Sequence, residues 1–264
     1  MKKARAKKVV VGMIHTGASP GTPASGGAVQ SLVDAAVREA RVYREAGVDA
    51  VMIENMHDVP YLKGAVGPEV TATMTRIALA VREAFAGPVG IQILAAANRE
   101  ALAVAHIAGL DFIRVEGFVF AHVADEGIIE SCAAELLRYR KIIGAERVKI
   151  WADIKKKHSA HAITADVGIA DTAHAAEFMR ADAIIITGGM TGAAPSVDDI
   201  RAARAGTSLP VYLGSGITPE NLAAFWPLAD GFIVGSFFKR GGDWRNPPDP
   251  RRIRAFLGSA NRIR

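Results

Sequence analysis

Short apolar runs alternate with longer amphipathic or alanine-rich segments along the whole chain. This alternation constrains the fold more than any other feature of the sequence. Eight runs rich in Val, Ile and Leu have the length of a β-strand, and a helical pattern follows each of them. Parallel strands are continuously apolar because their crossover helices cover both faces of the sheet. The pattern therefore predicts an α/β protein in which every strand is followed by a helix.

The strand and helix boundaries can be proposed from the apolar periodicity. Strands are predicted at residues 9–14, 50–55, 89–94, 112–116, 149–154, 183–188, 211–216 and 231–236. Helices are predicted at residues 30–46, 70–86, 99–108, 126–143, 169–180, 197–204, 219–226 and 250–257. Two loops, at residues 15–28 and 155–168, are long enough to act as lids over a ligand.

Eight strand–helix units in 264 residues match the usual size of a closed (β/α)8 barrel, the TIM barrel. An open doubly wound sheet is the alternative, but the segment HTGASPGTPASGG after the first strand does not match the dinucleotide-binding pattern G-x-G-x-x-G. We predict one TIM-barrel domain over residues 1–264, with a basic N-terminal tail at 1–8 and a C-terminal tail at 259–264.

Composition excludes several classes of protein. The net charge is +5, but the excess Lys and Arg residues lie near the two ends of the chain, so no nucleic-acid partner is expected. The lone cysteine, Cys132, excludes an internal disulfide. No run has the length of a membrane span, and no NAD or PLP signature occurs. We expect a cytoplasmic protein that forms homo-oligomers.

Two Gly-Ser turns near the end of the chain predict a phosphate site. Gly214, Ser215 and Gly216 follow the seventh strand, and Gly235 and Ser236 follow the eighth. Glycine lets backbone N–H groups approach an anion, and the loops after strands seven and eight often hold phosphate in TIM barrels. Gly188, after strand six, is expected to join this site.

Polar residues at the ends of the predicted strands suggest a catalytic centre, because TIM-barrel active sites lie at the carboxyl ends of the strands. The candidates for catalysis are His15, Glu54, Glu116, Asp153, Lys157 and His158. The candidates for substrate contact are Asn55, Asp58, Gln92, Arg114, Asp125 and Thr187. Arg114 and Glu116 are alternatively a buried ion pair with each other, and Lys155 and Lys156 are expected to be solvated.

Three kinds of chemistry suit these residues. Glu54, Glu116 and Asp153 are suitable ligands for a divalent cation such as Mg²⁺ or Mn²⁺ that bridges to a phosphorylated substrate. They are equally suitable, with histidine, for general acid–base chemistry at the anomeric carbon of a sugar. A Schiff base at Lys157 is a third option, weakened by its position beyond the strand end.

Several segments together resemble the BtpA/SgcQ family from about residue 9 to residue 256. They are GMIHTGASPGTP (12–23), ENMHDVPY (54–61), GPEVTATM (67–74), FIRVEGFVFAHVADEG (112–127), ADIKKKHSAHAITADV (152–167), TGGMTG (187–192), GSGITPEN (214–221) and ADGFIVGSFFK (229–239). The resemblance implies a TIM barrel with a ribulose-phosphate-binding type of phosphate site. Gln92 and Glu116 depart from the photosystem-linked members, and the chain looks closer to a branch that also occurs in animals.

The resemblance implies two kinds of function. One relative is described as a putative nucleosidase, which agrees with an enzyme that acts on a phosphorylated sugar or nucleoside. We expect nucleosidase-like glycosidic cleavage in preference to aldolase or isomerase chemistry. The alternative is a non-catalytic assembly factor, since some cyanobacterial relatives are linked to the accumulation of photosystem I.

Overall fold

The computed structural model describes residues 8–190 and 192–263. Eight parallel strands form a closed barrel, as the alternation of apolar runs predicts. These are β1 (Val9–His15), β2 (Ala50–Glu54), β3 (Val89–Gln92), β4 (Phe112–Val115), β5 (Lys149–Asp153), β6 (Ala183–Thr187), β7 (Val211–Gly214) and β8 (Gly231–Val234). Closure comes from pairing of β1 with β8, where Val9 lies opposite Gly231.

Eight α-helices surround the barrel in the described residues. They are α1 (Val29–Ala46), α2 (Pro68–Ala84), α3 (Asn98–Ile107), α4 (Ala133–Ile142), α5 (Ile169–Phe178), α6 (Val197–Gly206), α7 (Leu222–Phe225) and α8 (Pro250–Ile263). Short 3-10 turns occur at Ala162–Thr164, Trp226–Leu228, Ser236–Phe238 and Arg240–Gly242. The structure therefore confirms the predicted TIM barrel.

Two predicted helical boundaries are wrong. The helix predicted at 126–143 begins only at Ala133, because residues 122–129 form a hairpin of two short strands, His122–Ala124 and Gly127–Ile129. The last helix continues to Ile263, so residues 259–263 are helical and do not form a tail. Arg264 and the tail residues 1–7 lie outside the described residues, as does Thr191 of the TGGMTG segment.

A small antiparallel sheet lies at the carboxyl end of the barrel. The strand His122–Ala124 pairs on one side with Gly127–Ile129 and on the other with Ser159–Ala160. This sheet joins the loop after β4 to the loop at residues 155–168, one of the two predicted lids. Residues of both loops are thereby held beside the barrel mouth.

The core has two layers. One lies between the strands and the helices and contains most of the buried Ile, Val, Leu and Ala side chains. The other fills the barrel, where the rings of Phe112, Trp151 and Tyr212 stack with centroid separations of 3.8 and 4.0 Å. Gly90 is needed beside this stack, because a Cβ atom there would lie 2.1 Å from the Phe112 ring.

Four aspartates tie the strands together at the opposite, amino end of the barrel. Each directly precedes an even-numbered strand, and its carboxylate accepts a hydrogen bond from a backbone N–H group at the start of the preceding strand. The donors and acceptors are Val10 N to Asp49 (3.0 Å), Val89 N to Asp111 (2.8 Å), Ile150 N to Asp182 (2.9 Å) and Val211 N to Asp230 (2.8 Å). These bonds stabilise the barrel far from its mouth.

Candidate functional site

A cavity of about 220 Å³, which we call the mouth cavity, opens at the carboxyl end of the barrel. Seven of the predicted site residues line it: Glu54, Gln92, Arg114, Glu116, Asp125, Lys157 and His158. The remaining lining residues are Met56, Tyr61, Leu94, Ala95, Glu126 and Lys156. Side chains from β2, β3 and β4 and from the loops after β4 and β5 thus meet in one place.

Arg114 is the central cation of this site. Its guanidinium donates two hydrogen bonds to the carboxylate of Asp153, at 2.9 and 3.2 Å, and its Nη1 lies 4.0 Å from Glu54 Oε1. Burial alone would lower the pKa of Arg114, but the charges of Asp153 and Glu54 raise it above the usual value. Arg114 is therefore a permanent positive charge beneath the cavity.

Glu116 pairs with Lys156 and not with Arg114. Lys156 Nζ lies 3.1 Å from Glu116 Oε1, and the backbone N–H of Ala96 donates to the other carboxylate oxygen at 3.0 Å. The side chain of Lys156 is only 10% exposed, so the prediction that it is solvated is wrong. The predicted pair of Arg114 with Glu116 is also wrong, because each residue has a partner from β5 or the loop after it.

His15 lies against Glu54 as a neutral ring. Its Nδ1 lies 3.0 Å from the carbonyl oxygen of Trp244, which can only accept, so Nδ1 carries the hydrogen. Burial, helped by the charge of Lys239, lowers the pKa of His15 to about 3, which leaves the ring neutral. The bare Nε2 then faces Glu54 Oε2 at 3.5 Å. The neutral ring therefore brings no positive charge to Glu54.

Burial is the main influence on the pKa of Glu54. Burial raises the pKa of Glu54, and the positive charges of Arg114 and Lys157 offset this only in part. Glu54 also has the fewest close partners of the three predicted catalytic carboxylates, because Arg114 holds Asp153 and Lys156 holds Glu116. Burial raises the pKa of Asp153 as well, but Arg114 holds both of its oxygens, so Glu54 has the fewest contacts to lose when it meets a ligand.

Lys157 lies beyond the end of β5, but the loop returns its side chain to the cavity. Lys155 and His158 adopt left-handed backbone conformations with φ of 46° and 53°, and the backbone N–H of Lys157 donates to Thr187 Oγ1 at 3.2 Å. Burial and the nearby charge of Arg114 lower the pKa of Lys157. Its Nζ donates to Ser215 Oγ at 3.0 Å, so Lys157 reaches the Gly-Ser turn after β7.

A second cavity, of about 160 Å³, lies between the loops after β7 and β8, and we call it the loop cavity. Gly216, Gly235 and Ser236, for which the sequence predicts phosphate binding, line it, and Arg252 of α8 adds a guanidinium. The other lining residues are Gly192, Ile217, Thr218, Ile233, Val234, Phe237 and Gly242. Ser215 adjoins Gly216 of this lining and accepts a hydrogen bond from Lys157 of the mouth cavity.

Other predicted site residues support the loops and line neither cavity, within the described part of the chain. Asn55 donates to Asp58 at 2.9 Å and accepts from the N–H of Leu94 at 2.7 Å, while Asp58 accepts from the N–H of Ser19 at 2.7 Å. Gly188 packs against the backbone at Ala193, where a Cβ would lie 2.2 Å from the carbonyl oxygen. Gly214 ends β7 below the turn.

The three carboxylates proposed as metal ligands do not form a metal site. Among residues 8–190 and 192–263, no group of three or more His, Cys, Asp or Glu side chains is arranged to hold a metal ion. The physical reason is that Arg114 occupies both oxygens of Asp153 and Lys156 occupies Glu116. The donor set of Glu54, Glu116 and Asp153 therefore does not fit a divalent cation such as Mg²⁺ or Mn²⁺.

Sequence reasoning misses several lining residues. Arg252 lies in sequence among the basic residues near the end of the chain, and Tyr61 ends the segment ENMHDVPY, in which only the acidic and amide side chains are chosen as candidates. Met56, Leu94 and Ala95 carry no ionisable group that would single them out. The helical pattern includes Glu126, although Gly127 directly after it is a turn signal.

The model of the BtpA family matches residues 6–262, which is almost the whole chain. The chain belongs to the BtpA family. An uncharacterized mitochondrial protein of Caenorhabditis elegans is 48% identical over 263 residues, covering 98% of this chain and 95% of the relative. The photosystem I biogenesis protein BtpA of Synechocystis is 35% identical over 249 residues, covering 94% and 86%. The expected nearness to an animal branch agrees with these identities.

Solved structures give the same fold for this BtpA-family chain. The (S)-3-O-geranylgeranylglyceryl phosphate synthase of Thermoplasma acidophilum, in complex with sn-glycerol-1-phosphate, superposes with a TM-score of 0.62. The alignment covers 97% of this chain and 94% of the synthase at 16% sequence identity. None of the helices in the described residues of this BtpA-family protein combines the length and the apolar composition of a membrane span.

Proposed function

We propose that this BtpA-family protein is an enzyme that acts on a phosphorylated sugar or nucleoside. The observation that carries the proposal is the hydrogen bond of 3.0 Å from Lys157 Nζ to Ser215 Oγ. It joins a cavity lined by ionisable side chains to a glycine-rich cavity at the loops after β7 and β8. A ligand with its phosphate in the loop cavity would extend past Lys157 into the mouth cavity.

The loop cavity has the chemistry of a phosphate site. Gly216 and Gly235 have no side chain to keep a phosphate away from their backbone N–H groups. The Ser236 hydroxyl and the Arg252 guanidinium are further donors for phosphate oxygens. The superposable synthase of Thermoplasma acidophilum binds sn-glycerol-1-phosphate, a small phosphorylated compound. That likeness concerns the fold, so the argument for phosphate in this chain rests on the lining residues.

Glycosidic cleavage is the reaction that suits the mouth cavity best. The protonated carboxyl of Glu54 would give its proton to the leaving nitrogen or oxygen as the bond to the anomeric carbon breaks. The positive charge that develops on the sugar would be stabilised by the carboxylate of Glu116, which lines the cavity. Water would then add to the anomeric carbon and return a proton to Glu54. Isomerase or aldolase chemistry would instead use the Lys157 amine to polarise a carbonyl group.

Release of a base from nucleosides and nucleoside monophosphates tests this reaction. We expect chromatography to detect free base with wild-type protein, and we expect Glu54→Gln to lower kcat by about 100-fold or more, which is typical of losing a general acid. The melting temperature should change little, because Gln resembles the protonated Glu54. Glu83→Gln, on the exposed face of α2, is the matched control. An equally active Glu54→Gln variant would rule out this role for Glu54.

An assembly role is the second candidate function. It is favoured by the name of the Synechocystis relative, a photosystem I biogenesis protein. Exposed apolar side chains near the mouth, among them Leu62 (57%), Ile128 (55%) and Met190 (63%), would then contact a protein partner. Such a factor should gain no thermal stability from any phosphorylated small molecule. Homo-oligomerisation, a cytoplasmic location and the absence of a nucleic-acid partner stay predictions.

A further inference from the structure

We propose that Gln92 binds a vicinal diol of the ligand's sugar through both ends of its carboxamide. The inference rests on the proposed function, since it assumes a phosphorylated ligand that extends into the mouth cavity. It goes beyond that function by assigning the group that selects the sugar. The ligand class it names is a pentose phosphate, or a glycoside of one, with two neighbouring free hydroxyl groups.

Gln92 is buried and has unused hydrogen-bonding capacity. It is the last residue of β3, is 1% exposed and lines the mouth cavity. Among the residues that the structure describes, neither its Oε1 nor its Nε2 has a hydrogen-bond partner. An unpaired buried amide costs free energy, so native proteins rarely keep one without a reason. Both atoms are also shielded from solvent, so a ligand in the cavity would move a neighbouring side chain to reach them and would then satisfy both.

The other amides near the mouth are satisfied within the chain. Asn55 bonds to Asp58 and to the backbone of Leu94, and Asn98 donates to the carbonyl oxygen of Glu116 at 2.8 Å. Gln92 lies beside Glu54, its register partner across β2 and β3, but makes no hydrogen bond to it. The unpaired amide is therefore specific to the residue that faces the cavity.

The chemistry of the carboxamide selects the group it binds. It offers a donor and an acceptor side by side, so a phosphate or a carboxylate, which only accepts, would satisfy its NH₂ group alone. Two neighbouring hydroxyls can accept from Nε2 and donate to Oε1 together. The apolar side chains of Met56 and Leu94 in the same cavity suit the carbon skeleton between such hydroxyls. The Gln92 carboxamide should therefore bind a neutral group that bears hydroxyls. The edge of a heterocyclic base is the alternative ligand group at this position.

Calorimetric titration with ribose 5-phosphate and 2-deoxyribose 5-phosphate tests the inference, because the two differ only in the 2-hydroxyl that completes the diol. We expect wild-type protein to prefer ribose 5-phosphate by about tenfold, the effect of one or two hydrogen bonds. Gln92→Met keeps the side-chain length and removes the amide. It should lose the preference, bind inorganic phosphate as before and melt at the same or a higher temperature.

The other outcomes separate this inference from the proposed function. Equal binding of the two pentose phosphates, or a preference that survives Gln92→Met, would overturn the diol contact alone. A melting temperature lowered by several degrees would make Gln92 a structural residue. Binding of nucleoside monophosphates without any binding of ribose 5-phosphate would assign Gln92 to a base edge. If no phosphate binds, inorganic phosphate included, the proposed function fails and this inference fails with it.

Discussion

The three buried carboxyl groups at the barrel mouth differ in their partners. Because the Trp244 carbonyl fixes the hydrogen of His15 on Nδ1, the free Nε2 brings no positive charge to Glu54, and burial raises the pKa of Glu54. Arg114 meanwhile keeps Asp153 as a bidentate partner. One carboxyl group without a close cationic partner therefore lies near two that are held by cations, and acid catalysis at a sugar uses carboxyl groups with such different surroundings.

The buried His15 should make stability depend on pH. The pKa of His15 is about 3 in the folded protein, compared with 6.5 for an unperturbed histidine in the unfolded chain. Between pH 3 and pH 6.5 the unfolded chain therefore binds a proton that the folded protein does not. Stability from this group is present above about pH 6.5 and is lost as pH falls toward 3. Within this range the free energy of unfolding falls by about 1.4 kcal/mol for each pH unit of acidification.

Urea unfolding at pH 7, 6 and 5 measures this slope. His15→Gln keeps a donor for the Trp244 carbonyl but does not titrate, so its free energy of unfolding should fall less steeply than that of wild-type protein. His174→Gln, at an exposed position of α5, controls for loss of an ordinary histidine. Parallel pH profiles for wild type and His15→Gln would show that His15 titrates normally in the folded state.

The residues at the strand ends were predictable, but their partners were not. Alternation along β4 correctly put Arg114 and Glu116 on one face. Their actual partners, Asp153 and Lys156, are about 40 residues away, and only the pairing of β4 with β5 brings them close. Three lysines in a row are usually solvated, whereas here the turn at Lys155 returns the side chain of Lys156 to the barrel.

At the scale of elements, the turn after β7 has the most demanding backbone. Gly216 has φ of 61°, and a Cβ there would lie 2.3 Å from the backbone nitrogen of Ala194. The loop after β6 and the loop after β7 thus touch through a position that only glycine fits. This close contact shapes the loop cavity in which we propose the phosphate binds.

Gly216→Ala should therefore distort the loop cavity. The expected loss of stability is about 2 kcal/mol or more, from the left-handed φ together with the clash, and inorganic phosphate should bind weakly or not at all. Gly241→Ala is the matched control, because Gly241 has φ of 64° but a Cβ added there would have no described heavy atom within 4 Å. Calorimetry and thermal unfolding of both variants check this. Unchanged phosphate binding by Gly216→Ala would contradict the proposed site.

The hairpin at residues 122–129 shows why helical propensity misled at this loop. Residues 126–143 are rich in good helix formers, yet Gly127 has φ of 106° and Val123 pairs with Ile128 across the turn. The sequence did contain a signal for this hairpin, because the turn-forming residues Asp125, Glu126 and Gly127 lie between two β-branched runs. Tertiary pairing with Ser159–Ala160 completes the sheet, and a local pattern does not reveal such pairing.

At the scale of the whole molecule, the amino end of the barrel carries a repeat of its own. The dipeptides that lead into β2, β4, β6 and β8 are Asp-Ala, Asp-Phe, Asp-Ala and Asp-Gly. Each aspartate carboxylate accepts a hydrogen bond from the neighbouring odd-numbered strand, so the eight strands are linked in four pairs. We call each of these links a clamp. The stabilising contacts and the proposed chemistry thus lie at opposite ends of the barrel.

Removal of one clamp should lower stability without changing ligand binding. In Asp182→Ala the backbone N–H of Ile150 loses its charged acceptor at 2.9 Å, and Arg140 loses a partner at 3.1 Å. We expect a loss of about 1.5–3 kcal/mol, measured by urea unfolding. Asp198→Ala, whose side chain is 95% exposed, should cost less than about 0.5 kcal/mol. Equal losses in the two variants would disprove the clamp.

The barrel itself followed from the sequence because eight buried strands leave eight apolar runs of strand length. The site followed in part, since TIM barrels collect functional groups at strand ends. Contacts between distant loops, such as Lys157 with Ser215, depend on side-chain directions beyond the strands and could not be derived. The unpaired amide of Gln92 is likewise visible only once the surrounding side chains are known.

The measurement that tests the central claim most directly is a crystal structure of the protein with ribose 5-phosphate. We predict that the phosphate lies in the loop cavity between Gly216, Gly235 and Ser236, and that the sugar passes Lys157 into the mouth cavity with its 2- and 3-hydroxyls against Gln92. Density for the phosphate elsewhere in the molecule, or both cavities holding only solvent at saturating ligand, would contradict the proposal that one phosphorylated ligand spans them.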